Sequence, residues 1–281
     1  MNRILVVDGS NLLFQMFFGM PARITNSKGK AIHGVLGFVG ALLKIIRQTD
    51  PSHITVVFDG EHYNARTEIN KDYKANRVDY STLPEDESPF SQIDYVFSAL
   101  DVLGIKYTEA TICEADDIIS GYALKYGTEN EVIVCSFDSD FFQLITDSVS
   151  VLRYRGERSV ICTPSYIKEK LGIQPSQYVC FKSLTGDTAD NIKGAPHIGA
   201  KTAAQLLSCF DTLEDVIAGA ENIKKPSVRR SVMENSARLR DNYKLIKLGL
   251  ASDLPFSLDE LKYNYNGITT NEVLNAIDLL P

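Results

Sequence analysis

The chain contains no Cys-x-x-Cys pair. Its five cysteines, Cys113, Cys135, Cys162, Cys180 and Cys209, are scattered and odd in number. That excludes a disulfide framework and predicts buried thiols of a reducing compartment. Histidine is scarce: His33, His53, His62 and His197 show no ligand spacing, which disfavours zinc. No apolar run approaches the roughly 18 residues of a membrane span, and Ile4 to Val7 is too short for a signal-peptide core. A soluble, cytoplasmic, non-membrane protein is expected. Low-complexity tracts and internal repeats are also missing. So is any excess of positive charge: the net charge of −7 argues against a general polyanion binder.

What remains is an ordinary globular composition, 281 residues with 44% hydrophobic and 23% charged, long enough for one or two domains. The charge is uneven. Residues 191–250 hold ten Lys or Arg against six Asp or Glu, a basic segment compatible with local nucleic-acid contact but equally with a solvated surface.

Three runs, ILVVD (4–8), ITVVFD (54–59) and EVIVCSFDSD (131–140), are continuously apolar before they end in acid. Unbroken apolarity over four to six residues predicts strands buried on both faces, as in a parallel sheet covered by helices. Helix-like stretches at Val35 to Arg47, Ile93 to Leu103 and Ala115 to Tyr126 lie between them, so a doubly wound α/β core is expected. In such sheets the ligand site lies off the carboxyl ends of the strands. Asp8, Asp59, Asp138 and Asp140 would converge there. One such Asp is an ordinary turn or cap residue, but three strands share the habit.

A second acidic group is CEADDIISGY, 113–122. The apolar face of the following helix starts near Glu114. At about 100° per residue Glu114 and Asp117 lie about 60° apart while Asp116 points elsewhere, so their convergence requires Glu114 and Asp116 in the entry loop. Read alone, the stretch is an acidic first turn complementing the helix dipole. A third group, Asp187 and Asp190 in LTGDTADNIKG, precedes a Gly-Pro-Gly connection (Gly194, Pro196, Gly199) into a helix from about Lys201. Its backbone amides suit a phosphate, although an ordinary helix hairpin has the same spacing. Carboxylates this dense stay ionised only beside hard cations, which points to magnesium or manganese. Two such ions can activate a water and stabilise the leaving oxygen in phosphodiester cleavage.

In 64–77, Asn70, Tyr73, Lys74 and Arg77 fall at i, i+3, i+4 and i+7, a polar, basic and aromatic helix stripe. It is either a solvated face or a surface that stacks on bases and holds phosphates. The Pro-, Ser- and acid-rich 78–90 reads as a mobile loop. Over a carboxylate cluster, the two suggest a gate for a nucleic-acid strand.

Together VDGSN, VVFD, YKANR, EADD, SFDSD with FFQL, and LTGDTADNIKG resemble the 5′-nuclease family, which includes the 5′-nuclease domain of bacterial DNA polymerase I and flap endonucleases. The motifs run in order from residue 4 to about 210. The resemblance implies a PIN-like α/β core over 1–162 with a helical arch at about 64–90. It also implies a helical DNA-binding region over 163–281, with a helix-three-turn-helix motif at 184–207. It places Asp8, Asp59, Glu114, Asp116 and Asp138 around one metal, and Asp117, Asp140, Asp187 and Asp190 around another. Lys74 would polarise the scissile phosphate, so Lys74, Asp8, Asp59, Asp116 and Asp138 form the implied catalytic set. Arg66, Tyr73, Lys74, Arg77, Lys182 and Lys201 would bind DNA bearing 5′ ends or 5′ flaps, and a potassium ion would sit at the 194–199 hairpin. A monomeric 5′-3′ exonuclease and flap endonuclease of repair or replication follows. Two positions depart from the pattern: Gln15 stands where many relatives have Arg, and His197 where they have Gly. A non-catalytic binder of branched DNA and an RNA-directed 5′ nuclease are the alternatives.

Overall fold

A computed structural model of the chain describes residues 1–60, 66–76, 84, 87–249 and 253–280. Its centre is a six-stranded sheet built from β1 (Arg3–Asp8), β2 (His53–Asp59), β3 (Lys106–Ala110), β4 (Glu131–Cys135), β5 (Val149–Arg153) and β6 (Val160–Cys162), in the order β3-β2-β1-β4-β5-β6. All pairings are parallel except β5 with β6.

The unbroken apolar runs are explained by the strand period of two. On β1, Ile4 and Val6 join one core cluster while Leu5 and Val7 join the other, and all four are fully buried. One face is covered by α1 (Gly9–Gly19), α2 (His33–Thr49), α4 (Ile93–Leu103) and α12 (Thr270–Ala276). The other is covered by α5 (Ala115–Tyr126), α6 (Pro164–Leu171), α7 (Tyr178–Thr185) and α8 (Ala200–Cys209), with α9 (Leu213–Ala218), α10 (Pro226–Glu234) and α11 (Ser236–Ile246) behind them. That second cluster runs without interruption from Ile4 to Leu261, so the helical C-terminal region shares its core with the sheet. A short α3 (Arg66–Ile69) completes the described helices of the α/β part.

Helices α4 and α5 have the bounds expected from periodicity. Two departures matter for the site. The expected strand 131–140 leaves the sheet at Cys135, because Ser136, Asp138 and Asn11 side chains take over the next backbone N–H groups. The expected helix stripe through 70–77 is replaced by turns after Ile69. Lys74 adopts φ 56°, a left-handed conformation that a continuing helix does not allow.

After α7, Gly186–Asp187 (β7) pairs antiparallel with Ile192–Lys193 (β8). Gly186 has φ +82°, and a Cβ there would lie 2.4 Å from the Gly194 nitrogen, so only glycine fits this ladder. Among the thiols, Cys135, Cys162 and Cys180 are buried as expected, but Cys209 is exposed. No described helix is long and apolar enough to cross a membrane.

Candidate active site

The first acid is built by the end of the central strand. Asp8 closes β1 and caps α1: Asn11 N–H donates to Oδ1 at 3.0 Å, and Ser136 Oγ donates to Oδ2 at 2.7 Å. Gly9 follows because a Cβ there would meet the Phe58 ring at 2.5 Å, so VDG lets α1 start against β2. Asp59 ends β2, exposed, with its own N–H donating to Ser10 Oγ at 2.8 Å. Burial first, and the Asp59 charge second, push the Asp8 carboxyl up to about 7.

Between strand β4 and the 3-10 turn Ser139–Leu144, Asp138 caps the turn, accepting from Asp140 N–H at 2.8 Å. Gln143 fixes this turn, donating to the Asp140 and Ile246 carbonyls at 2.8 and 3.1 Å and accepting from Leu248 N–H at 3.0 Å.

The EADD stretch divides its acids. Glu114 is the extended residue that precedes α5, as expected, but Asp116 is the second residue of the helix and not part of the entry loop. No loop is needed, because the sheet brings the other acids to it. Burial and then Asp138, Asp8 and Asp59 raise the Asp116 carboxyl well above its ordinary value, with Lys74 opposing. Glu114 and Asp117 share the other side of the helix, as the 60° spacing implies, and Arg66 bridges them: Nη1 to Glu114 Oε2, and Nη2 to Asp117 Oδ1 at 2.7 Å. Burial works against the Arg66 charge, but Glu114 and Asp117 outweigh it and hold the guanidinium above its usual value. Lys74 Nζ donates to Glu114 Oε1 at 2.6 Å.

From the helical region, Asp187 and Asp190 face Asp138 and Asp140. Asp187 accepts from Ala189 N–H at 2.9 Å, and its other oxygen lies 2.5 Å from Lys182 Nζ. Burial and the Asp138 charge push the Asp140 carboxyl up to about 8, with Asp187 and Asp190 adding and Lys182 opposing. The Asp138 carboxyl is also raised, first by burial. A cleft of ≈ 210 Å³ opens here, lined by Asn11, Phe137, Asp138, Ser139, Asp187, Ala189 and Asp190.

Asp117 shares Arg66 with Glu114 and accepts from Gly249 N–H at 2.9 Å. Asp140 Oδ1 is buried without a hydrogen-bond partner, the donors are all oxygen, and the raised carboxyls are those that an added positive charge would lower. This chemistry suits a hard divalent cation. Among the described residues no three His, Cys, Asp or Glu side chains are placed to hold a metal ion as they stand.

The expected DNA-binding residues scatter more. Tyr73 is 6% exposed and packs with Val179, Ile192, Leu245 and Ile246, so it is a core residue in this conformation and its ring is not offered to a base. Burial raises its phenol above the usual range. Arg66, Lys74 and Lys182 are held by acids. Lys201 stands exposed in the first turn of α8. Arg77 lies outside the described residues, as does most of the 78–90 loop. Gln15 Nε2 donates to the Tyr154 carbonyl at 2.7 Å and is thus a structural donor, and His197 takes φ 65°. The supports Asn11 and Ser136 are absent from the sequence reading. Asn11 has a signal, an amide three residues after a strand-terminal Asp, but Ser136 has none.

A profile described as 5′-3′ exonuclease, N-terminal resolvase-like domain, matches residues 3–172, and one described as 5′-3′ exonuclease, C-terminal SAM fold, matches residues 173–267. A thermostable DNA polymerase I of Thermus filiformis is 36% identical over 259 residues, covering 92% of this chain and 29% of the polymerase. The chain thus spans under a third of such relatives. A 5′-3′ exonuclease of Buchnera aphidicola is 35% identical over 244 residues, covering 86% of this chain and 81% of the relative. A bacteriophage T5 flap endonuclease, solved in a pseudo-enzyme-product complex with DNA and metal ions, superposes with TM-score 0.73 at 21% identity, over 98% of this chain and 99% of that one. Human GEN1, solved with Holliday junction DNA, gives TM-score 0.62 at 16% identity over 99% of this chain and 68% of that one. At these identities the two structures establish the fold: a mostly parallel PIN-like core with a helical C-terminal part.

Proposed function

The chain belongs to the 5′-3′ exonuclease family, and from that premise we propose that it is a structure-specific 5′ nuclease that hydrolyses DNA phosphodiester bonds, acting as 5′-3′ exonuclease and 5′-flap endonuclease. The observation that carries the reading is the gathering of acids from separate segments: Asp138, Asp187 and Asp190 line one cleft, Asp140 feels the charges of all three, and Asp116 feels those of Asp138, Asp8 and Asp59, with the buried Asp140 oxygen unpartnered.

Asp8, Asp59, Glu114, Asp116 and Asp138 form one ligand group and Asp140, Asp187 and Asp190 the second. Magnesium or manganese held there would activate the attacking water and stabilise the leaving oxygen. Protein residues then do the rest. Lys74 leaves Glu114 for the scissile phosphate and adds a positive charge where negative charge develops. Asn11 and Ser136 hold the Asp8 carboxylate in place. Lys201 contacts phosphates of the duplex arm at the start of α8, and residues of the 194–199 hairpin would hold a potassium ion. Residues 1–162 act as the nuclease core and 163–281 as the duplex-binding region of a monomer working on replication or repair intermediates.

The test is incubation of a labelled 5′-flap duplex with magnesium, beside an Asp187→Ala, Asp190→Ala double variant. A metal-dependent product near the flap junction, lost in the variant, supports the reading. Tight flap binding without cleavage in magnesium or manganese replaces it with a branched-DNA binder, and preference for a 5′ single-stranded RNA end with an RNA-directed nuclease.

A further inference from the structure

A strand of phosphates entering an acid-lined cleft needs cations that the acids have not already engaged. Beside this cleft most basic groups are taken. Lys74 and Arg66 are on Glu114 and Asp117, and Lys182 is on Asp187. Arg153 points inward: Nη2 donates to the Phe137 carbonyl at 2.8 Å, and the guanidinium lies 5.1 and 5.6 Å from the Phe137 and Phe142 ring centroids.

Arg155 differs. It is exposed, its guanidinium lies 4.8 Å from the Phe137 centroid, and among the described residues no carboxylate pairs with it. Phe137 lines the cleft and directly precedes Asp138. The turn that carries Arg155 is tied locally. Arg155 N–H donates to Ser159 Oγ at 2.9 Å, Arg158 N–H donates to the Arg155 carbonyl at 3.2 Å, and Gly156 supplies φ +60°. One residue earlier, Gln15 pins the Tyr154 carbonyl to α1. A charged group held on an aromatic ring over a fixed turn is partly pre-organised before any ligand arrives.

We propose that Arg155 is a phosphate-binding residue on the rim of the cleft, holding the DNA strand at a phosphate neighbouring the one that is cut. This rests on the nuclease reading. With guanidinium groups near it, the Phe137 ring is no open platform for a base, so the contact is with the backbone and carries no sequence preference.

The experiment measures binding of a fluorescein-labelled 5′-flap duplex by anisotropy from 50 to 200 mM salt, in calcium, under conditions where uncut probe is recovered. Arg155→Gln is compared with Arg155→Lys and wild type, each with its melting temperature. Loss of one phosphate contact lowers the slope of log K against log salt by about 0.7–0.9. Arg155→Gln should show that loss, with roughly tenfold weaker binding at low salt, equally for flaps of different sequence. Arg155→Lys should keep the slope. In magnesium, Arg155→Gln should raise KM more than it lowers kcat. An unchanged slope in Arg155→Gln, or an equal loss in Arg155→Lys, overturns the assignment. A wild type that binds but cuts no flap sinks the nuclease reading instead, and leaves the slope comparison intact.

Discussion

The perturbation that tests the acid cluster most directly is Asp140→Asn, because the change keeps the shape and removes only the charge. Asp140 is 9% exposed and its carboxyl is pushed from 3.8 up to about 8, first by burial and then by Asp138. A folded-state value above the unfolded one means that wild-type stability is full below about pH 4 and falls as pH rises to about 8. At ~1.36 kcal/mol per unit, a shift of about four units sets a ceiling of ~6 kcal/mol. Relaxation of the half-buried Asp187 toward water and the opposing Lys182 charge lower that, and a net gain of about 2 kcal/mol is expected for Asp140→Asn above pH 8. That is roughly 4–8 °C in melting temperature. The assay is thermal melting in EDTA at pH 5 and pH 8.5, repeated with 10 mM magnesium. The variant should melt higher than wild type at pH 8.5 and gain less at pH 5. Magnesium should favour wild type, because a cation bound only to the folded state stabilises it by mass action. A variant that melts lower than wild type in EDTA at pH 8.5, or a difference that ignores pH, refutes the reasoning.

Tyr73 and three further positions separate structural from binding roles. Tyr73→Ala should cost about 3 kcal/mol in denaturant melts while Tyr73→Phe changes stability little; if Tyr73→Ala weakens flap binding with no loss of stability, the ring is a DNA platform after all. Asp117→Asn should leave manganese affinity, read by titration calorimetry, within about twofold of wild type, whereas Asp140→Asn should lower it by roughly tenfold or more; equal losses would return Asp117 to the ligand set. His197→Gly relieves a left-handed backbone and should stabilise the protein by about 1 kcal/mol, and a lower melting temperature would show that the imidazole makes a contact outweighing the strain.

Where sequence and structure agree, the reason is periodicity. Ile93–Leu103 and Ala115–Tyr126 are read to the residue because each presents one apolar face to a sheet. Strand β3, KYTEA, is passed over because an edge strand with one buried residue of five carries no apolar run. Helix α1 is passed over because it opens on the helix-poor Gly9, Ser10 and Asn11; Gly9 packs against Phe58, and Ser10 and Asn11 bond Asp59 and Asp8. The strand-terminal acids are legible because topology alone gathers them. The Arg66 bridge is not, since it depends on a segment more than forty residues away. A polar helical stripe through Tyr73 and Lys74 is misleading because the helix ends at Ile69 and the chain turns, with Lys74 at positive φ.

The place of β1 in the sheet has a consequence for biosynthesis. It lies between β2 and β4, so its far side stays unpaired until residues 131–135 have been made, and Asp8 waits for Ser136 across a separation of 128 residues. The last acids arrive later still, at 187 and 190. Contacts this distant in sequence form slowly, and a nascent or truncated chain that stops before β4 holds only scattered carboxylates. The acid cluster is therefore completed only after residue 190 has been made, and an unfinished chain lacks it.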